Sequence, residues 1–242
     1  MANASVRARL RSMGLAVCHF VISAPLTYGW LFVLLITTII QDHVLTKREY
    51  HDLVLDYGST NIVNIGHLAK DPLEVLIYSL LWIDGRLWAP YLLLFTLFLA
   101  PAEHWLGHLR WLTVGLTAHV GATYISEGLL YLAIRYHDAP NRLVHARDIG
   151  VSYFMVGLIA VLTYHIKPPW RWGYLAVLLV IFGFPLIVMD RIVLNFTAIG
   201  HFSSILIGLC FYPMARHHAG RPINPARLPN LLRRRGRRQA SA

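Results

Sequence analysis

Asp148-Ile149-Gly150-Val151-Ser152-Tyr153 opens an apolar run that continues to Ile166. A hydroxyl thus stands at the start of a segment whose surroundings are hydrocarbon-like. Forty-nine residues beyond Ser152, a second apolar stretch, Ala198-Ile-Gly-His-Phe-Ser-Ser-Ile-Leu-Ile-Gly208, carries His201 in its interior. An ionisable group inside such a segment is costly unless it has a partner or a task. The two stretches therefore set the question of whether Ser152 and His201 meet.

The composition decides what kind of chain surrounds them. Of 242 residues, 56% are hydrophobic and 14% charged, and the mean hydropathy is +0.51. These values lie well outside the range of a soluble domain and point to an integral membrane protein. The apolar runs are continuous and do not alternate with period two, so the expected class is all-α, a polytopic bundle of six transmembrane helices, and not a barrel. Cys18 and Cys210 lie in separate apolar segments and imply no disulfide framework. The run from Leu15 is too long and too poor in small-residue cleavage signals for a secretory leader, which predicts a retained first helix.

Working outward in chain order, spans are expected at about Leu15–Ile40, with a kink or interfacial approach at Pro25 and Gly29, and at Leu87–Ala102, Leu112–Ile134, Ile149–Ile166, Trp172–Met189 and Ile192–Met214. Between the first two, Pro72–Ile83 is apolar but too short to span, and is read as an interfacial helix within a structured loop. In the third span His119, Thr123, Ser126 and Glu127 recur at four- and three-residue spacing and share one face. Such a stripe is read as polar glue between helices. A metal cluster of His119, Glu127 and His201 is the weaker alternative, because no His-Glu-x-x-His spacing is present; no metal or cofactor is expected.

The charge of +10 is uneven: residues 1–14 form a basic N-terminus, residues 15–214 the membrane domain, and residues 215–242 a polybasic tail expected to be disordered. Three of the 22 Lys and Arg precede residue 12 and eight follow residue 215. By the positive-inside tendency, six spans with both basic ends on one side put both termini in the cytoplasm of a cell-membrane protein. The tail is read as an anchor to anionic lipid of the bilayer and not as a specific nucleic-acid binder. No internal repeat supports a transporter.

Gly150 before Ser152, and Gly200, Ser204 and Gly208 beside His201, form small-residue surfaces that let helices approach closely. A neutral imidazole in hydrogen-bond reach can take the serine proton, making the hydroxyl a nucleophile. Gly150-Val-Ser152 at a helix start, Gly200-His201 and Gly208 in the last core helix, Asp71-Pro72-Leu73 before the interfacial segment, and Glu103 with Gly107 after the second span resemble the rhomboid family of intramembrane serine proteases. The resemblance covers about residues 71–214. Ser59-Thr60-Asn61, His119-Val-Gly-Ala-Thr123 and Asp148–Tyr153 are similar, more narrowly, to the rhomboid-like membrane proteins of actinobacteria.

By that resemblance Ser152 is the nucleophile and His201 the general base, with Gly150, Tyr153, His119, Gly200 and Gly208 in support. The substrates or clients are transmembrane proteins. The chain departs from the family pattern where Tyr153 replaces the glycine after the serine, where Leu87 and Tyr91 stand in place of the oxyanion-binding His-x-x-x-Asn pair, and where Trp105 replaces an arginine. His119 or Tyr153 is then the expected substitute donor to the oxyanion. The alternative function is that of a catalytically inactive rhomboid-like protein that binds transmembrane segments.

Overall fold

A computed structural model of the chain describes residues 2–40, 65–83, 88–136, 150–188, 196–217 and 223–225. Asp148, Asp190, Leu87 and Ser59-Thr60-Asn61 lie outside these residues, as does most of the basic tail. The described residues are helical, with a single isolated bridge between Ile166 and Ile223.

The first expected span is not one helix. It divides into α1 (Ala2–Ile22) and α2 (Pro25–Ile39), which meet at 91°. The reason is local: Pro25 has no N–H and a fixed φ, so it suits the first helical position but cannot continue α1. In α1, Arg11–Leu15 and Val17–Ile22 are exposed, apolar Met13 and Ile22 included, whereas α2 buries Thr27, Leu31, Leu34 and Thr38. The kink expected at Pro25 is therefore a corner, and only α2 belongs to the bundle.

Two short helices follow, α3 (Ile65–Lys70) and α4 (Pro72–Tyr78), the latter where the interfacial helix is expected. Next, α5 (Ala89–Leu94), a π-turn (Phe95–Leu99) and α6 (Ala100–Leu106) run on as one rod, ended by Gly107 at φ +80°. Only glycine adopts that conformation without strain. The longest of the described helices, α7 (His108–Tyr136), has 29 residues. It is followed by α8 (Val151–Val161) with a 3₁₀ turn (Leu162–His165), α9 (Trp170–Val188), α10 (Phe196–Cys210) and the short α11 (Tyr212–His217). Helical order thus extends into the start of the expected tail, and Ile223 exchanges backbone hydrogen bonds with His165 and Lys167.

By length and composition, α9 alone among the described helices suffices to cross a membrane, and the α1–α2 pair passes only if its bent arms are counted together. The apolar α8 with its 3₁₀ turn and α10 are shorter. Helix α7 is long enough but carries its buried polar stripe inside.

The ends of several helices are tied together. Ala24 has no side-chain acceptor with which to cap α2, and Glu103 of α6 does so instead. Its carboxylate accepts from Leu26 N–H (3.0 Å) and Thr27 N–H (2.7 Å) and pairs with His108 Nδ1 (2.7 Å). At the same end, the Trp105 ring lies 4.5 Å from that of His165, and the Arg171 guanidinium donates to the carbonyls of Thr163, Tyr164 and Ile166. The core is aromatic where α2, α5–α6, α7 and α8 converge, with Trp30, Phe95, Trp111 and Phe154 in contact.

Candidate active site at the α8–α10 crossing

Three helices, α7, α8 and α10, meet through small residues. A Cβ at Gly157 of α8 would overlap the Ala118 methyl of α7, and one at Gly208 of α10 would meet the Gly157 carbonyl and come within 3.0 Å of Ala160 Cβ. Gly200, Ser204 and Gly208 are all buried, as the ridge read from sequence requires. With no side chain between them, the backbones of α8 and α10 touch, and that fixes how their first turns face each other.

The first turn of α8 holds the candidate nucleophile. Gly150 precedes the helix as its N-cap and Ser152, half-buried, is its second residue. Tyr153 is fully buried. Its ring fills the space over Gly200, where a Cβ would strike it, and stands edge-on to His201 with 5.2 Å between ring centroids. The His201 ring also lies against Phe182 of α9, at 5.6 Å. His201 therefore occupies an aromatic slot between α8 and α9.

The geometry of α9 relates Ser152 to that slot. Tyr174 OH donates to the carbonyl of Ile159 at 2.8 Å, so α9 lines the Ile159 face of α8. Ser152 lies seven residues before Ile159, about two turns, and shares that face. Phe182 lies eight residues after Tyr174 on the antiparallel α9. The two offsets are about 10 and 12 Å along the helices. Phe182, and with it His201, accordingly stands near the level of Ser152.

His119 is elsewhere. Its ring packs against Gly150, and its Nε2–H donates to the Leu76 carbonyl of α4 at 3.1 Å, with Ser79 Oγ 3.4 Å away. Gly150 and Ser152 project about 200° apart around α8. His119 thus braces the back of the helix start, away from the face of Ser152. Tyr153 is likewise turned to Gly200 and His201, forming a wall of the histidine slot. The polar stripe of α7 is buried at His119, Thr123, Ser126 and Glu127. His119 is engaged with α4 and His201 with Tyr153 and Phe182, so the two do not converge, and among the described residues no group of three His, Cys, Asp or Glu gathers as for a metal.

On the side expected to bind the oxyanion, Tyr91 is half-buried with its ring 6.4 Å from Phe95. Trp105, where the resemblance leads one to expect an arginine, is buried against His165. Sequence reasoning missed Ser79 and Phe182. Neither had a signal, since one is a lone serine after a short helix and the other a lone aromatic in a wholly apolar span.

A family model described as rhomboid-like protein matches residues 19–221. No curated protein and no solved structure matches the chain.

Proposed function

From the premise that the chain belongs to the rhomboid-like family, and so is a membrane protein with a protease-like or pseudoprotease fold, we propose that it is an intramembrane serine peptidase using Ser152 and His201. The observation that carries this reading is the slot of Tyr153, Gly200 and Phe182, which holds His201 at the start of α10 beside the first turn of α8. His201 takes the Ser152 proton as Oγ attacks the scissile carbonyl of a transmembrane substrate. It then delivers that proton to the leaving amine, and water hydrolyses the acyl-enzyme by the same route.

The topology that goes with this reading has six spans and cytoplasmic termini. Its support is that Glu103 to Leu26, Trp105 to His165 and Ile223 to Lys167 join the start of α2 with the ends of α6 and α8 and the beginning of the basic tail at one end of the bundle. The basic residues of both chain ends then face anionic lipid.

A fluorophosphonate probe tests the chemistry. Labelling of the folded wild type, absent in Ser152→Ala and in His201→Ala, is the expected result. A folded wild type that resists labelling overturns it in favour of the second reading, an inactive member that binds transmembrane segments. That reading draws on Tyr153 and Tyr91, which stand where the proteases carry glycine and asparagine; loss of one oxyanion donor costs on the order of a hundred- to a thousand-fold in rate.

A further inference from the structure

The last turn of α4 has a backbone irregularity that His119 resolves. In a regular helix the Leu80 N–H would bond to the Leu76 carbonyl, but here it turns to Ile77 O at 3.2 Å. The Leu76 carbonyl instead accepts from His119 Nε2–H at 3.1 Å and from Ser79 Oγ at 3.0 Å. The carbonyls of a terminal turn need such partners where they are shielded from water. His119 is 1% exposed and Ser79 fully buried, so water does not compete for these bonds.

The opposite edge of the same imidazole bears on α8. A Cβ at Gly150 would strike His119 Cε1 and would lie 2.7 Å from Ser79 Oγ. With Nε2–H given to Leu76, the Nδ1 edge faces Gly150. One ring therefore bridges the last turn of α4 and the residue that caps α8. The far side of that junction is fixed as well, because Trp30 Nε1–H of α2 donates to Leu80 O at 2.7 Å.

We propose that His119 is a positioning residue for Ser152, acting through Gly150: it latches α4 to the start of α8 and sets where the first turn of α8 stands against His201. The inference rests on the peptidase reading of Ser152, but the latch itself does not require turnover. Ser152 is two residues past Gly150 in the same turn, so a displacement at Gly150 is passed on to its hydroxyl. A misplacement of about 1 Å at a reacting group costs on the order of a hundred-fold in rate.

The test uses the full chain in detergent micelles and two readouts. The first is fluorophosphonate labelling, resolved into maximal rate and half-saturating probe concentration. The second is amide hydrogen exchange at residues 76–80. His119→Leu keeps bulk and removes the donor; His119→Gln keeps an N–H near the position of Nε2. We expect His119→Leu to lower the maximal rate about ten- to a hundred-fold with unchanged half-saturation and to speed exchange at 76–80, and His119→Gln to restore both.

Gly150→Ala should lower the rate, and His119→Ala in the same chain, by making room for the methyl, should recover part of it. Labelling of His119→Leu at the wild-type rate, or failure of His119→Gln to rescue, overturns the proposal. If His119→Leu does not fold, the Gly150→Ala pair decides, and no recovery refutes. If the wild type is not labelled, the peptidase reading falls and exchange decides the latch: faster exchange in His119→Leu sustains it, and unchanged exchange refutes it.

Discussion

Replacing Glu103 by alanine removes the cap of α2 from a helix distant in sequence. Pro25 has no N–H and the Ala24 N–H bonds to Val21 O, so Leu26 and Thr27 carry the orphan donors of the helix start, and Glu103 satisfies both. Each hydrogen bond to a charged group contributes about 1.5–3 kcal/mol. Glu103 is buried at 1% exposure while its partner His108 is 54% exposed, so the backbone amides and not the His108 contact carry the energy. An exposed partner of this kind adds about 1 kcal/mol or less. Glu103→Ala should therefore destabilise by about 3–5 kcal/mol, the loss typical of stranding buried polar partners. Glu103→Gln keeps one acceptor and should lose about half as much, and His108→Ala should lose least. Equilibrium unfolding in mixed micelles by titration with a denaturing detergent measures all three. The reasoning is refuted if Glu103→Ala unfolds within about 0.5 kcal/mol of wild type, the scatter of ordinary surface substitutions, or if His108→Ala costs as much as Glu103→Ala.

Gly208→Val should disrupt the α8–α10 crossing, because even its Cβ would meet the Gly157 carbonyl; overpacking of this kind costs about 1–3 kcal/mol or more, and Gly128→Ala and Gly173→Ala, whose Cβ positions meet nothing within 4 Å, serve as controls in the same unfolding titration. Arg171→Lys should destabilise by about 1–3 kcal/mol, because an ammonium cannot reproduce the fork that reaches three carbonyls at the end of α8. It should also speed amide exchange at residues 163–167. The labelling of Ser152 and the exchange measured in the His119 variants complete the set.

What could be read along the chain depended on signals that are local. Composition announced a membrane protein, and Pro72 and Val151 start helices where a proline and a glycine precede apolar runs. The small-residue ridge of α10 was legible because glycine and serine at four-residue spacing have few other uses inside a spanning helix. The break in the first expected span was legible at Pro25, but its size was not: hydropathy averages over a window and does not register a 91° corner. The face of His119 on α7 was predictable, but the element opposite it, the last turn of α4, was not.

The amino-acid sequence by itself determined the helical membrane class, the approximate helix limits, the buried stripe of α7 and the pairing of Ser152 with His201 as the residues to test. Those properties follow from hydropathy, periodicity and residue chemistry, which act over a few turns of chain. Only the tertiary structure decided that Glu103 caps a helix 76 residues away, that Phe182 and Tyr153 make the slot for His201, and that His119 braces Gly150 against Leu76. Each is a contact between elements whose registers are set by packing. A hydrogen bond or a ring contact depends on ångström-scale placement that no local preference encodes.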